Sequence, residues 1–329
     1  MAPYLARLGY NVIGLDVNYF GDCTLVPADD SRQVMDKDLR DITVGDLKGV
    51  GAVIHLAALS NDPIGNLNSD WTDDINLRGS IRLAELAREA GVRRFLFSSS
   101  CIMYGLSDAP SVNEDSPLDP RTDYARSKVE AERAIAALAA DGFSPTFLRN
   151  GTIYGVSPRM RFDTVLNDLV GAAVADGRVV VQGDGTPWRP VVHVEDVARA
   201  FSAVLEAPDD RIHNQAFNTG SNALNIQIRD LAETVARTVP GCKLEVVGAP
   251  GADRRSYLAD FAKFAAAFPS VEFRSPAAGA GELYRAFAAL PLTADTYRDR
   301  RFVRLRWLRH LLESGRLDQS LRWSAPVEV

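Results

Sequence analysis

Cysteine is scarce in this chain: Cys23, Cys101 and Cys242 are the only three in 329 residues, and none belongs to a CxxC or Cys/His cluster. A disulfide framework and a zinc site are therefore not indicated, and a reducing cytoplasm is the expected setting. No uncharged apolar run approaches the roughly 18 residues of a membrane span, and the start, Met-Ala-Pro-Tyr-Leu-Ala-Arg-Leu-Gly-Tyr, lacks the marks of a signal peptide. Excess positive charge is missing too. The 37 basic residues face 43 acidic ones, a net charge of −6, which argues against a general binder of nucleic acid or anionic membrane. No internal repeat is visible, and the only compositionally simple tract is a short Ala/Gly stretch at 277–281. What remains is ordinary globular material, 46% hydrophobic and 24% charged. A chain of this length buries roughly three quarters of its unfolded surface, in one large domain or two smaller ones.

Along the chain, short apolar runs alternate with amphipathic ones. Residues 2–8 read as the end of a helix stopped by Gly9, and 11–15 as a strand ending at Asp16. Further strands are expected at 52–56, at 95–97 running into Ser98-Ser99-Ser100, and at 146–149, with helices over about 70–90 and 122–140. This is the rhythm of an α/β, doubly wound parallel sheet of Rossmann type. Beyond Gly155 the rhythm loosens. Helices are expected near 163–176, 228–238 and 294–313, a strand followed by a helix over 191–206, and strands at 178–182, 216–218 and 243–247. The layout predicted is a nucleotide-binding domain over 1–155 with returning segments at about 191–220, and a smaller mixed α/β substrate-binding domain from 156–190 and 221–329.

The sharpest chemical signal is Tyr124-Ala-Arg-Ser-Lys128. It sets a tyrosine and a lysine four residues apart on one helix face, in a chain with only five lysines. The preceding strand ends in Ser98-Ser99-Ser100, and the carboxyl ends of parallel strands are where such folds place ligands. A phenol with a pKa near 10 must lose about three pH units, equivalent to about 4 kcal/mol, to act as a base at pH 7. A neighbouring ammonium supplies part of that, while a serine hydroxyl shares the reacting oxygen. The plainer reading is a tyrosine and a lysine on a solvated helix face.

With these residues in view, the sequence resembles the extended short-chain dehydrogenase/reductase superfamily, in particular its NAD-dependent nucleotide-sugar epimerase/dehydratase family. The resemblance spans nearly the whole chain: Asp16, DLRD at 38–41, HLAAL at 55–59, Asn76 in DINLRGS, SSSCIMYG at 98–105, YARSK, RNGTIYG at 149–155 and RPVVHVEDVARAF at 189–201. It implies an NAD cofactor and a nucleotide-sugar substrate, with Tyr124 as acid/base. Lys128 would hold the nicotinamide ribose and depress the phenol's pKa, and Ser100 would bond the reacting sugar oxygen. Asp16 would accept the adenosine ribose hydroxyls, favouring NAD over its 2′-phosphate form; otherwise it is a simple loop carboxylate. Asp38 and Leu39 would flank the adenine, Leu56, Ala57 and Ala58 would line the cofactor groove or serve as ordinary core, and Asn76 would secure the loop beneath. On the substrate side the resemblance implies Thr152, Arg189 and Arg255, the two arginines suiting a diphosphate unless they form surface ion pairs. His55 and His193 read as structural. No metal is implied, and a homodimer is common in the family.

Departures from the family pattern matter as much. Its members open with a strand and a GxxGxxG loop that holds the cofactor pyrophosphate, and neither is found here. The expectation is that Met1 is an internal methionine or a trimmed start; the competing reading is a truncated chain with weak NAD binding. Sugar 4,6-dehydratases carry an Asp-Glu pair directly after the active-site Ser/Thr, where this sequence has Cys101 and Ile102. Elimination then lacks its acid and base. Thr152 stands where asparagine is common, and the VSPRMR run at 156–161 offers arginines to a phosphate or to a helix end. The arginine-rich stretch from Arg298 to Arg309 reads as a solvated or subunit-packing helix. An NAD-dependent nucleotide-sugar epimerase is the leading expectation. A dehydrogenase, reductase or dehydratase on the same substrates, or a non-catalytic module of the same fold, are the alternatives.

Overall fold

Four strands build the central sheet: β3 (Ala52–His55), β4 (Arg94–Ser100), β5 (Ser144–Asn150) and β9 (Gln215–Thr219), all parallel and in the order β3-β4-β5-β9. The computed structural model describes residues 1–26, 33–60, 64, 67–106, 110–248, 256–290 and 292–324. Every residue of β5 is buried, as a parallel strand covered on both faces must be. One face carries the helices Gly79–Glu89 and Asp123–Ala136, whose Leu83, Ala87, Ala131 and Ile135 meet Phe95, Phe97 and Phe147. The other carries the helix Val194–Glu206, whose Val197, Phe201 and Val204 meet Leu96, Leu148 and Phe217. Helices on both faces of a parallel sheet make the Rossmann-like, doubly wound arrangement that the alternating pattern predicts.

A separate parallel pair, β1 (Ile13–Asp16) and β2 (Gln33–Asp36), lies outside this sheet. The second half of the chain adds β6 (Thr152–Tyr154), β8 (Trp188–His193) and β10 (Asn225–Gln227), and the pair β7 (Arg178–Gln182) and β11 (Lys243–Val247). Its core gathers the helices Val165–Asp176, Ile228–Thr238 and Pro276–Ala289 around Phe162, Leu166, Leu231, Leu283 and Phe287.

Three sequence expectations need correction. The helix over 70–90 is continuous but contains a π-helical stretch at Asp73–Arg78 that interrupts its α register. The helix predicted over 122–140 ends at Ala136, because the chain must turn through Gly142 (φ 88°) to enter β5. The single helix over 294–313 is three pieces: Ala294–Arg298, a 3₁₀ turn Arg300–Phe302, and Arg304–Glu313. Asp299 breaks it, since its side chain accepts the Arg301 amide at 2.8 Å and its backbone is extended.

Candidate functional site

Thr122 starts the helix that matters most: its hydroxyl accepts the Ala125 amide at 3.1 Å. Tyr124 then falls in the first turn, half-buried, and Lys128 one turn later is fully enclosed at 2% exposed. The Lys128 ammonium donates to the Ser98 carbonyl at 2.8 Å, lies 4.5 Å from the Phe97 ring centroid and 5.9 Å from that of Tyr124. Burial pushes its pKa down to about 8, opposed by the negative charge of Glu132. It is thus still mostly a cation at pH 7, positioned below the phenol.

The same helix packs on β4 and on the 3₁₀ turn Cys101–Tyr104. Ser100 ends β4 and begins that turn, its hydroxyl 3.4 Å from the Ile102 amide. Asn150, opposite Ser100 in β5, ties the serine run by donating to Ser98 Oγ at 3.1 Å and to the Ser99 carbonyl at 3.3 Å. Cys101 is fully buried, its thiol against the Arg149 carbonyl at 3.1 Å, and burial raises its pKa far above the ordinary range. It can supply neither acid nor base to a substrate.

At the carboxyl end of β1, Asp16 is 47% exposed and pairs with Arg159 at 2.7 Å, while accepting the Asn18 amide at 2.8 Å. Arg159 also reaches Asn18 Oδ1 at 2.9 Å, and Arg161 reaches Ser60 Oγ at 3.1 Å. The VSPRMR arginines therefore bridge to the loops after β1 and β3. Asp38 starts the 3₁₀ turn Leu39–Asp41 and pairs with Arg40 at 2.7 Å and Arg322 at 3.3 Å. Burial would raise its pKa, but the Arg40 hydrogen bonds outweigh it and hold the carboxyl below its usual value. Leu39 points into the core, so only its backbone is available to a ligand. Leu56 is 45% exposed after β3, Ala57 is exposed and Ala58 half-buried. Beneath them Asn76, wholly buried, accepts the Leu59 amide at 2.8 Å and donates to the Leu59 carbonyl at 3.1 Å.

In the second half, Thr152 lies half-buried on β6 and Arg189 half-buried on β8, where it donates to the Trp188 carbonyl at 2.8 Å. Arg255 lies outside the described residues. Beside Arg189 a cavity of about 460 Å³ is lined by Trp188, Asn222, Asn225, Leu258 and Asp260 among others; none of these was singled out from sequence. His55 and His193 are both internal. His55 Nε2 is 2.7 Å from Ser80 Oγ, and burial pushes its pKa down to about 3, so it is neutral. His193 accepts the Glu195 amide on Nδ1 at 3.2 Å, and its Nε2 stands 3.2 Å from Glu282 without hydrogen-bond alignment. Among the described residues no cluster of three or more His, Cys, Asp or Glu suits a metal, and no helix is long and apolar enough to cross a membrane.

Sequence reasoning missed a buried network under the site. Arg149 pairs with Glu132 at 2.8 Å and donates to Tyr104 Oη at 3.0 Å, and Tyr104 donates to Asn218 Oδ1 at 2.6 Å. The available signal was the arginine of RNGTIYG directly after Phe147-Leu148 in a strand expected to be buried, where it needs a partner.

Comparison with known proteins follows the same lines. A family model described as the NAD dependent epimerase/dehydratase family matches residues 1–220. The UDP-glucose 4-epimerase of Lactobacillus helveticus is 29% identical over 283 residues, 79% of this chain and 84% of that protein. That of Corynebacterium glutamicum is 30% identical over 238 residues, 67% and 70% respectively. Among solved structures, MoeE5 in complex with UDP-glucose and NAD is 27% identical, with a TM-score of 0.72 over 87% of this chain and 94% of that one. On this evidence the chain belongs to the NAD-dependent epimerase/dehydratase family, a family of enzymes within the extended short-chain dehydrogenases/reductases whose cofactor is NAD.

Proposed function

We propose that this protein epimerises a hydroxyl-bearing carbon of a nucleotide-activated sugar, with Tyr124 as acid/base. The observation that carries the reading is the enclosed Lys128 ammonium, 2.8 Å from the Ser98 carbonyl and 5.9 Å from the Tyr124 ring. A cation there favours the phenolate. The residues present fit the cofactor in chemistry: a half-exposed carboxylate at Asp16, an exposed apolar shelf at Leu56 and Ala57, and a buried ammonium at Lys128. Asp16 would take the adenosine ribose, the backbone at Asp38 and Leu39 the adenine, and Lys128 the nicotinamide ribose, over the loop that Asn76 secures. When bound, NAD supplies reversible acceptance of a hydride from the sugar carbon.

The chain's own work is to move a proton and hold the sugar. Tyr124 Oη takes the hydroxyl proton and later returns it, Ser100 Oγ bonds the same oxygen, and Lys128 keeps the phenol acidic. Thr152, Arg189 and Arg255 hold the nucleotide-sugar while the ketone presents its other face. Relatives include dehydratases, such as the dTDP-D-glucose 4,6-dehydratase of Mus musculus, 25% identical over 54% of this chain and 49% of that one. Epimerisation is favoured here because Cys101, buried with a raised pKa, and Ile102 offer no proton transfer for elimination. We place the work in the cytoplasm, within carbohydrate biosynthesis, by a homodimer.

Tyr124→Phe should reduce turnover of nucleotide-sugars by a thousandfold or more while leaving fold and nucleotide-sugar binding unchanged. Product analysis across UDP-, GDP-, dTDP- and CDP-sugars checks it. Retained turnover refutes Tyr124 as the base. A product oxidised or reduced in proportion to added cofactor makes the protein a dehydrogenase or reductase instead, and a dehydrated product makes it a dehydratase.

A further inference from the structure

Lys128 is a buried cation whose surroundings are mostly apolar or neutral. From β4 it meets the Phe97 ring and the Ser98 carbonyl. From β3 the nearby titratable group is His55, held neutral by its own burial. On its own helix stand Tyr124, one turn before, and Glu132, one turn after. Behind Glu132, from β5, is Arg149, which grips both carboxylate oxygens at 2.8–3.2 Å. Glu132 and Arg149 are themselves enclosed, at 7% and 8% side-chain exposure. Arg149 is fixed in turn by Tyr104 and by the Glu114 carbonyl at 3.1 Å.

We propose that Glu132 is a positioning residue for Lys128: clamped by Arg149, it fixes the helix turn bearing the lysine against β5 and supplies the negative charge that keeps the enclosed ammonium ionised. The geometry makes this more than a structural ion pair. Residues four apart on a helix lie on one face, so the carboxylate is the anion on the lysine's own face, and the bidentate grip prevents it from turning away. A carboxylate free to rotate would be drawn to solvent. Here the acid joins the helix to β5 through Arg149, and the lysine one turn earlier joins it to β4 through the Ser98 carbonyl. The inference rests on the reading of Lys128 as a site residue, but its test needs neither turnover nor cofactor.

With five lysines in the chain, labelling lysine side chains with ¹³C at Cε gives five resonances, and loss of one in Lys128→Met assigns the site. In the unaltered protein Lys128 should titrate near pH 8. Glu132→Gln should lower that midpoint by about one pH unit, the effect of removing a nearby opposite charge, and Glu132→Asp should restore most of it. A purely structural role predicts the opposite sign, because a loosened helix hydrates Lys128 and moves its midpoint upward. If Glu132→Gln does not fold, the double variant Glu132→Gln with Arg149→Met also removes the guanidinium that the single variant leaves buried without its carboxylate, and Lys128 should again titrate lower. A midpoint that stays or rises overturns the proposal. Should Tyr124→Phe retain turnover while this midpoint falls, the acid/base reading fails and the role of Glu132 stands.

Discussion

His55 shows what a single buried residue does to the whole protein's pH dependence. It is neutral in the fold, with a pKa near 3, and hydrogen-bonded to Ser80 under the loop that Asn76 clamps. In the unfolded chain its pKa returns to about 6.5. The folded value is the depressed one, so this contribution is fully present above pH 6.5 and is lost as pH falls from there toward 3. Linkage gives about 1.4 kcal/mol per pH unit in that window, hence about 2 kcal/mol at pH 5. Urea unfolding at pH 7.5 and 5.0 checks this: His55→Asn should narrow the gap between the two pH values by about that amount. An equal gap in both proteins would place the acid sensitivity elsewhere.

Among the elements, the helix Pro276–Ala289 was the least legible in sequence. Its Ala/Gly start at 277–281 has no periodic apolar pattern, yet Ser275 begins it by accepting the Ala278 amide at 3.2 Å, and Pro276 suits its first turn. The glycine at 279 has a packing reason. A Cβ there would lie 2.6 Å from Tyr154 Oη and closer still to the ring, and that ring is wedged edge-on against His193 with centroids 5.3 Å apart. Gly279→Ala gains about 1 kcal/mol of helix propensity but forces a buried ring to move, at about 1–3 kcal/mol. The net expectation is a lower thermal midpoint, partly recovered by adding Tyr154→Leu. A raised midpoint for Gly279→Ala alone would show that the ring yields freely. By contrast, β3, β4 and β5 were readable because each carries a short apolar run, Ala52-Val53-Ile54, Phe95-Leu96-Phe97 and Phe147-Leu148, alternating with amphipathic helices. The YARSK helix was readable because its spacing is local. The three-residue strands β6 and β10 are shorter than any periodicity can mark, and the Glu132–Arg149 pair joins residues 17 apart through tertiary packing alone.

At the scale of the whole molecule, the end of the chain returns to the loops that surround the proposed cofactor groove. Trp307, Leu308 and Leu311 pack with Tyr19, Leu59, Trp71 and Ile75. Beyond them, Gln319 accepts from Trp71 at 2.7 Å, Ser320 and Leu321 accept from Arg40 at 2.7 and 3.1 Å, and Trp323 donates to the Val17 carbonyl at 2.7 Å. Arg322 pairs with Asp38 and Asp41. Leu321 is fully buried despite a left-handed backbone (φ 57°), a strained conformation for leucine that the surrounding bonds must hold. This segment ties the loop after β1 to the turn after β2, which share no strand hydrogen bonds beyond the short pair. Removing residues after Gly315 exposes the sites filled by Leu317 and Leu321, costing about 4 kcal/mol in apolar burial alone. It also strips partners from Arg40, Trp71 and Trp323's acceptor at Val17. Amide hydrogen exchange should therefore accelerate selectively at 17–23 and 38–42 in the shortened protein, while β4 and β5 remain protected. If protection falls evenly across the sheet, or not at all in those two loops, the segment does not organise the groove.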